Sequence, residues 1–194
     1  MRADSLKGFA MNPTDVSSRL KGLAAADHLA ADGEVSPNAE AEQLLALGRA
    51  IRLHEERLDL AWCGAAVARL FLARPWLQRV NMQLMFESVY NDEGRFGWEH
   101  CAIFKAAESV PGADLPAQVQ NAEGSFNPDA VADLLHDAHV DEAYELCLPF
   151  LDADEQDSCT FALDREDLAA VLTARPVSGL AVARVLWPDH DALA

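Results

Sequence analysis

From Asn38 to Ala73 the chain runs without a proline, bounded by Ser36-Pro37 on one side and Arg74-Pro75 on the other. Proline is tolerated at the first helical position and breaks a helix elsewhere, so this punctuation predicts one long helix that opens at Ser36-Pro37 and stops at Arg74. Leu44, Leu47, Ile51, Leu58, Ala61, Ala65, Ala68 and Leu72 recur on a heptad-like stripe interrupted by His54, which reads as one long packing face. Unbroken, such a helix spans roughly 50 Å at 1.5 Å per residue, longer than a domain of this size is wide. Glycine is a poor helix former, so a break or bend is expected near Cys63-Gly64, with a helical hairpin as the other outcome.

Upstream, Asn12-Pro13-Thr14 is a capped start for a first helix to about Ala31, with Val16, Leu20, Leu23 and Ala24 at helical spacing and Gly33 as a stop. After Pro75 the period changes from helical to alternating. Val80, Met82, Leu84, Phe86 and Tyr90, then Phe96, Trp98 and Phe104 beyond the turn Asn91 to Gly94, predict a long β-hairpin. Residues 108 to 126, with Pro111, Gly112, Pro116 and Gly124, read as an irregular connection. Asn127-Pro128-Asp129 starts another helix, with Val131, Leu134, Leu135 and Ala138 as its apolar stripe and an end near Val140. Tyr144 to Leu148 and Ser158 to Leu163 are expected as strands, Asp164 as the cap of a short helix to Ala174, and Leu180 to Trp187 as helix or strand. The sum is an α+β chain in which N-terminal helices, one of them long, precede an antiparallel sheet with interleaved helices. One domain over 1–194 is the expected organisation, with 1–107 and 126–194 as its sub-lobes.

Charge narrows the function. The net charge is -17, and it is uneven: residues 1–100 carry 11 Lys or Arg and 14 Asp or Glu, residues 101–194 carry 4 and 18. Between Ala106 and Asp164 there is no Lys or Arg, so any cation that neutralises this segment comes from outside it. Such a surface repels nucleic acid and anionic membrane and favours a basic protein surface as partner. Asp129, Asp133 and Asp137 stand four residues apart on the expected helix, and Asp141 continues the series; each step advances about 6 Å. Carboxylates in such a row resemble the phosphates of a nucleic-acid strand, so the expected activity is to occupy and block a groove built for DNA or RNA. Phage-encoded, anti-CRISPR-like inhibitors of host defence nucleases act in this way. The candidate partner-binding residues are Asp129, Asp133, Asp137, Asp141, Asp152, Asp154, Glu155 and Asp157.

The alternative is a metal-dependent hydrolase centred on His136, Asp137 and His139, since two imidazoles three apart on a helix can share a metal. The string Leu134 to His139 resembles the central His-Asp pair of HD-type phosphohydrolases, which implies an earlier His and a later Asp on neighbouring helices. His100 and Asp189 or Asp191 are the residues left for those roles, and His100 falls on an expected strand. Asp152 to Gln156 opens like an EF-hand loop, but Asp157 stands where glycine is required and Leu163 where the bidentate Glu belongs. A third reading is an immunity-type or structural interaction protein. The chain has no phosphate loop, dinucleotide fingerprint or nucleophile elbow, so no cofactor is expected. His100 and Cys101, adjacent on a strand, point to opposite faces and make no catalytic pair. Cys63, Cys101, Cys147 and Cys159 lie far apart, which reads as reduced thiols. Without an apolar run of about 18 residues or a signal-like opening, the chain reads as cytoplasmic. Trp98 or Tyr90, if exposed beside the acidic surface, is the natural anchor for a partner.

Overall fold

A computed structural model describes residues 21, 23–31, 34–90, 94, 96–139, 142, 146 and 158–193; the side chains of 31, 86–89, 96–100 and 159 are outside that description. In chain order its elements are β1 (His28–Ala31), β2 (Glu34–Pro37), α1 (Ala39–Ala73), β3 (Leu77–Tyr90), β4 (Phe96–Ser109), a 3-10 turn (Ala117–Val119), α2 (Pro128–His139), β5 (Ser158–Asp164), α3 (Ala169–Leu172), α4 (Gly179–Leu186) and a 3-10 turn (Asp191–Leu193). This is the α+β class, with a long helix ahead of an antiparallel sheet. The chain divides into two compact units, Met1–His54 and Glu55–Ala194. Among the described residues no helix is long and apolar enough to cross a membrane.

In the first unit the expected opening helix falls mainly outside the described residues; of those described, Lys21 has helical backbone, 23–25 form a turn, and His28–Ala31 is a strand instead. β1 pairs with β2 antiparallel, His28 opposite Pro37 and Ala31 opposite Glu34. Pro37 therefore ends a strand, and the helix opens two residues later than its proline suggests. Asn38 is the reason. Its Oδ1 accepts from Ala41 N (2.9 Å), satisfying a free amide of the first turn, and from Asp27 N (3.0 Å), while its Nδ2 donates to Ala25 O (2.8 Å). One amide side chain thus caps the helix and holds the start of the hairpin.

α1 runs unbroken through Cys63-Gly64, against expectation. Gly64 serves close packing. A Cβ there would meet Gly179 O at 2.2 Å, and one on Gly179 would meet Ala61 O at 1.9 Å, so α4 crosses α1 where neither chain has a side chain. The packing face also differs from the heptad reading. Leu44, Ile51, Leu58, Ala65 and Leu72 are exposed, Leu58 by 70%, and Leu47 and Ala61 half-buried, with only Ala68 of the stripe buried, whereas Leu60, Cys63, Ala66, Val67, Leu70 and Phe71 are buried. Successive residues differ by about 100° around a helix and residues two apart by about 200°, so the face that packs lies nearly opposite most of the heptad-like stripe.

The expected hairpin is present: β3 and β4 pair from Leu77↔Ser109 to Tyr90↔Phe96, and β5 adds to the other side of β3, giving the order β4-β3-β5. Val80, Met82 and Leu84 on β3, Ala102 and Phe104 on β4 and Leu163 on β5 are buried, while Asn81, Gln83 and Ile103 are half-buried and Lys105 and Thr160 exposed. That period of two gives the sheet one core face. A register shift near Arg79 coincides with Ala106 at φ 45°, a bulge built on a residue other than glycine. The expected strand from Tyr144 to Leu148 is described only at Leu146, which has helical backbone and is buried. Asp164 Oδ1 accepts from Glu166 N (2.8 Å) and so shapes a turn, with α3 starting only at Ala169 and ending at Leu172. The segment after Leu180 is helical, capped by Ser178 Oγ on Ala181 N (3.3 Å).

Arg165, just past β5, donates from Nη2 to the carbonyls of Phe71 and Arg74 (2.7 Å each) and from Nε to that of Leu77 (2.8 Å). It closes the C-terminal end of α1, whose last turn has no basic residue of its own. Arg165→Met should cost at least ~2 kcal/mol in a denaturant titration, because charge-assisted bonds to these carbonyls are lost together. The two glycines of α1 should respond oppositely to alanine. Gly48 has only the tip of Arg52 at 4.0 Å, so Gly48→Ala should stabilise by ~0.5–1 kcal/mol, while Gly64→Ala should destabilise by more than ~2 kcal/mol.

Candidate functional site

α2 begins where Asn127 Oδ1 accepts from Asp129 N (3.2 Å) and Ala130 N (3.3 Å). Of its expected stripe, Val131 and Leu135 are fully buried and Leu134 is half-buried, but Ala138 is exposed and His139 takes the inward position. The helix packs this face on β4. On its other side Asp129, Asp133 and Asp137 are all exposed, in one row. The ion pairs found among the described residues are Arg69–Glu142, His139–Glu142 and His190–Glu56, and none reaches this row. Asp129 lies at the favourable end of the helix dipole and Asp137 at the unfavourable one, and like charges four apart disfavour a helix, so α2 carries this row at a cost that packing of Val131 and Leu135 offsets. Asp141, Asp152, Asp154, Glu155 and Asp157 lie outside the described residues. Tyr90 is exposed on β3; the side chain of Trp98 is among those not described.

The two histidines of α2 have opposite surroundings. His136 is exposed, whereas His139 is only 5% exposed. Among the described residues no group of three or more His, Cys, Asp or Glu is placed to hold a metal ion. His100 is on β4, a strand where HD-type proteins have a helix, and Asp189 and Asp191 are exposed at the C-terminal end. Cys63 is buried, its Sγ 3.8 Å from Leu146 O, and Cys101 is half-buried.

His139 anchors a chain of polar contacts that spacing alone does not reveal. Its Nδ1 meets Glu142 Oε2 at 2.8 Å, and Glu142 accepts from Arg69 on α1. The His139 ring lies 5.5 Å from that of Phe104 on β4. Burial pushes the His139 imidazole below the ordinary histidine range, and the opposing pull of Glu142 does not overcome it. Burial pushes the Glu142 carboxyl up, but hydrogen bonds from Arg69 and His139 outweigh that and hold it below the usual carboxylate range. The partner at i+3 was legible as a spacing; Arg69, which answers the expectation that cations come from outside the acidic segment, was not. Protein-family models, curated proteins and solved structures were each compared with the chain, and none matches it.

Glu142→Ala should cost ~1–2 kcal/mol, because it strips Nδ1 of a buried imidazole of its partner. Arg69 is more than half exposed, so Arg69→Ala should cost under ~1 kcal/mol. Thermal or denaturant unfolding of the two variants checks this ordering.

Proposed function

We propose that this chain is a non-enzymatic acidic protein that docks on a basic, nucleic-acid-binding surface of a protein partner and blocks it, as nucleic-acid mimics of the anti-CRISPR-like, phage anti-defence type do. The observation that carries the reading is the row Asp129, Asp133, Asp137, exposed on one side of α2 and met by no cationic side chain among the described residues. Unneutralised carboxylates on a rigid helix keep their potential for a partner, and a net charge of -17 steers a basic surface toward them from beyond contact distance. The opposite face of α2 is held by Val131 and Leu135 in the core, so the row is presented by a packed element rather than by a loose tail.

The test is capture on the tagged chain at about 0.1 M salt and again at about 1 M, where the screening length falls from roughly 10 Å to 3 Å. A nucleic-acid-binding complex should be held at low salt, released at high salt, and displaced by duplex DNA or RNA. Asp129→Asn, Asp133→Asn and Asp137→Asn together should weaken capture roughly 10-fold or more, at unchanged helicity. Capture that ignores both the competitor and the triple substitution would sink the proposal and reduce the row to a solvated face.

A further inference from the structure

We propose that His139 is a proton-operated latch, whose protonation releases the C-terminal end of α2 from the sheet. The argument is geometric. The ring is 5% exposed, Nδ1 is occupied by Glu142, and Nε2 is buried with no hydrogen-bond partner among the described residues. His139 belongs to the wall of a cavity of about 10 Å³, lined besides by Ala66, Val67, Leu70, Met82, Phe104 and Leu163 with Leu146. Such a space is close to the smallest that admits one water, and the only acceptor those side chains offer is the weak thioether sulfur of Met82. With Nδ1–H donating to the Glu142 carboxylate, neutral His139 turns a bare lone pair toward apolar walls. A second proton puts an N–H and a positive charge in the same place, where no strong acceptor among the described residues meets the one and the apolar walls do not solvate the other.

The charged groups around the ring decide the sign. Arg69 on α1 and Arg74 just past its end both oppose an imidazolium; after α2, Glu142 favours it. The residues that β3, β4 and β5 turn toward the cavity, Met82, Phe104 and Leu163, are uncharged. Burial leads these influences, so the folded state holds the proton less well than the unfolded chain, whose imidazole titrates near 6.5. The unfolded or opened state then binds more protons below about pH 6.5, and protection of the latch falls as the pH drops from there to the folded-state value, levelling off below it. Above pH 6.5 the imidazole contributes no pH dependence. The latch stands whether or not the acidic row binds a partner.

Hydrogen exchange of the full chain between pH 7 and pH 5 tests it, read as protection factors so that the intrinsic pH dependence of exchange cancels. Amides of Leu135 to His139 should lose protection about tenfold for each unit that the folded imidazole lies below its free value, while Met82 in the central strand changes less. His139→Gln, which keeps a polar group but does not titrate, and His139→Phe, which keeps a ring, should both abolish that loss. The wild-type imidazole, followed by NMR, should titrate below 6.5; this readout decides the matter even if both variants fail to fold. Titration at or above 6.5, protection that does not change between pH 7 and pH 5, or the same loss in His139→Gln would overturn the latch.

Discussion

One guanidinium closes the long helix and sets the sheet against it. The last carbonyls of any helix lack partners within it, and α1 ends at Ala73 before Arg74-Pro75 with no basic side chain in its final turn. Arg74 Nη1 reaches the carbonyl of Leu70 (3.4 Å), while Arg165, from a turn about ninety residues away in sequence, donates to those of Phe71 and Arg74 and in the same fork to the first carbonyl of β3. Its backbone amide also donates to Gln78 O (2.8 Å), beside the Arg79↔Asp164 pair that begins the β3–β5 register. The end of the helix, the start of the central strand and the end of the edge strand are thus fixed by one residue, stacked 5.3 Å over the ring of Phe71.

From that joint the core follows. The buried face of α1 meets the apolar face of the sheet through Val67, Leu70 and Phe71 against Val80, Met82, Leu84 and Phe104, in one continuous cluster that also takes in Val131 and Leu135 of α2 and Val182 of α4. The Gly64 and Gly179 contact lets α4 come close enough to α1 for Val182 and Ala183 to be buried completely. Interiors pack densely, so the polar ring of His139 is tolerated here only because Glu142, braced by Arg69, satisfies one of its nitrogens. That compromise leaves the C-terminal end of α2 sensitive to protons while its N-terminal turns rest on purely apolar contacts.

The acidic row and the buried histidine occupy the same helix for different reasons. A charge ridge is a property of spacing, and Asp129, Asp133 and Asp137 face outward because Val131 and Leu135, at the complementary positions, are drawn inward. Which imidazole goes inside is not a property of spacing. His136 and His139 are alike in local context, and Ala138 fits the apolar stripe better than His139 does, yet the position nearest Phe104 and Leu146 falls to His139. A sequence pattern ranks residues by polarity; a fold ranks positions by what surrounds them.

Local chemistry determined the class of structure. Proline placement delimited α1, alternation delimited the β3–β4 hairpin, and Asn127-Pro128 started α2, because each signal acts within one turn or one strand pair. Charge counting likewise exposed the segment after Ala106 that holds no cation of its own. Tertiary structure decided the rest: that α1 does not break at Gly64, that its packing face is the one with Leu60, Cys63, Val67 and Phe71 rather than the heptad stripe, that Asn38 and not Ser36 opens it, and that Arg165 and Arg69 answer groups far away in sequence. These outcomes depend on which surfaces meet, and the free energy of a surface is set by its neighbour, which no local window of sequence contains.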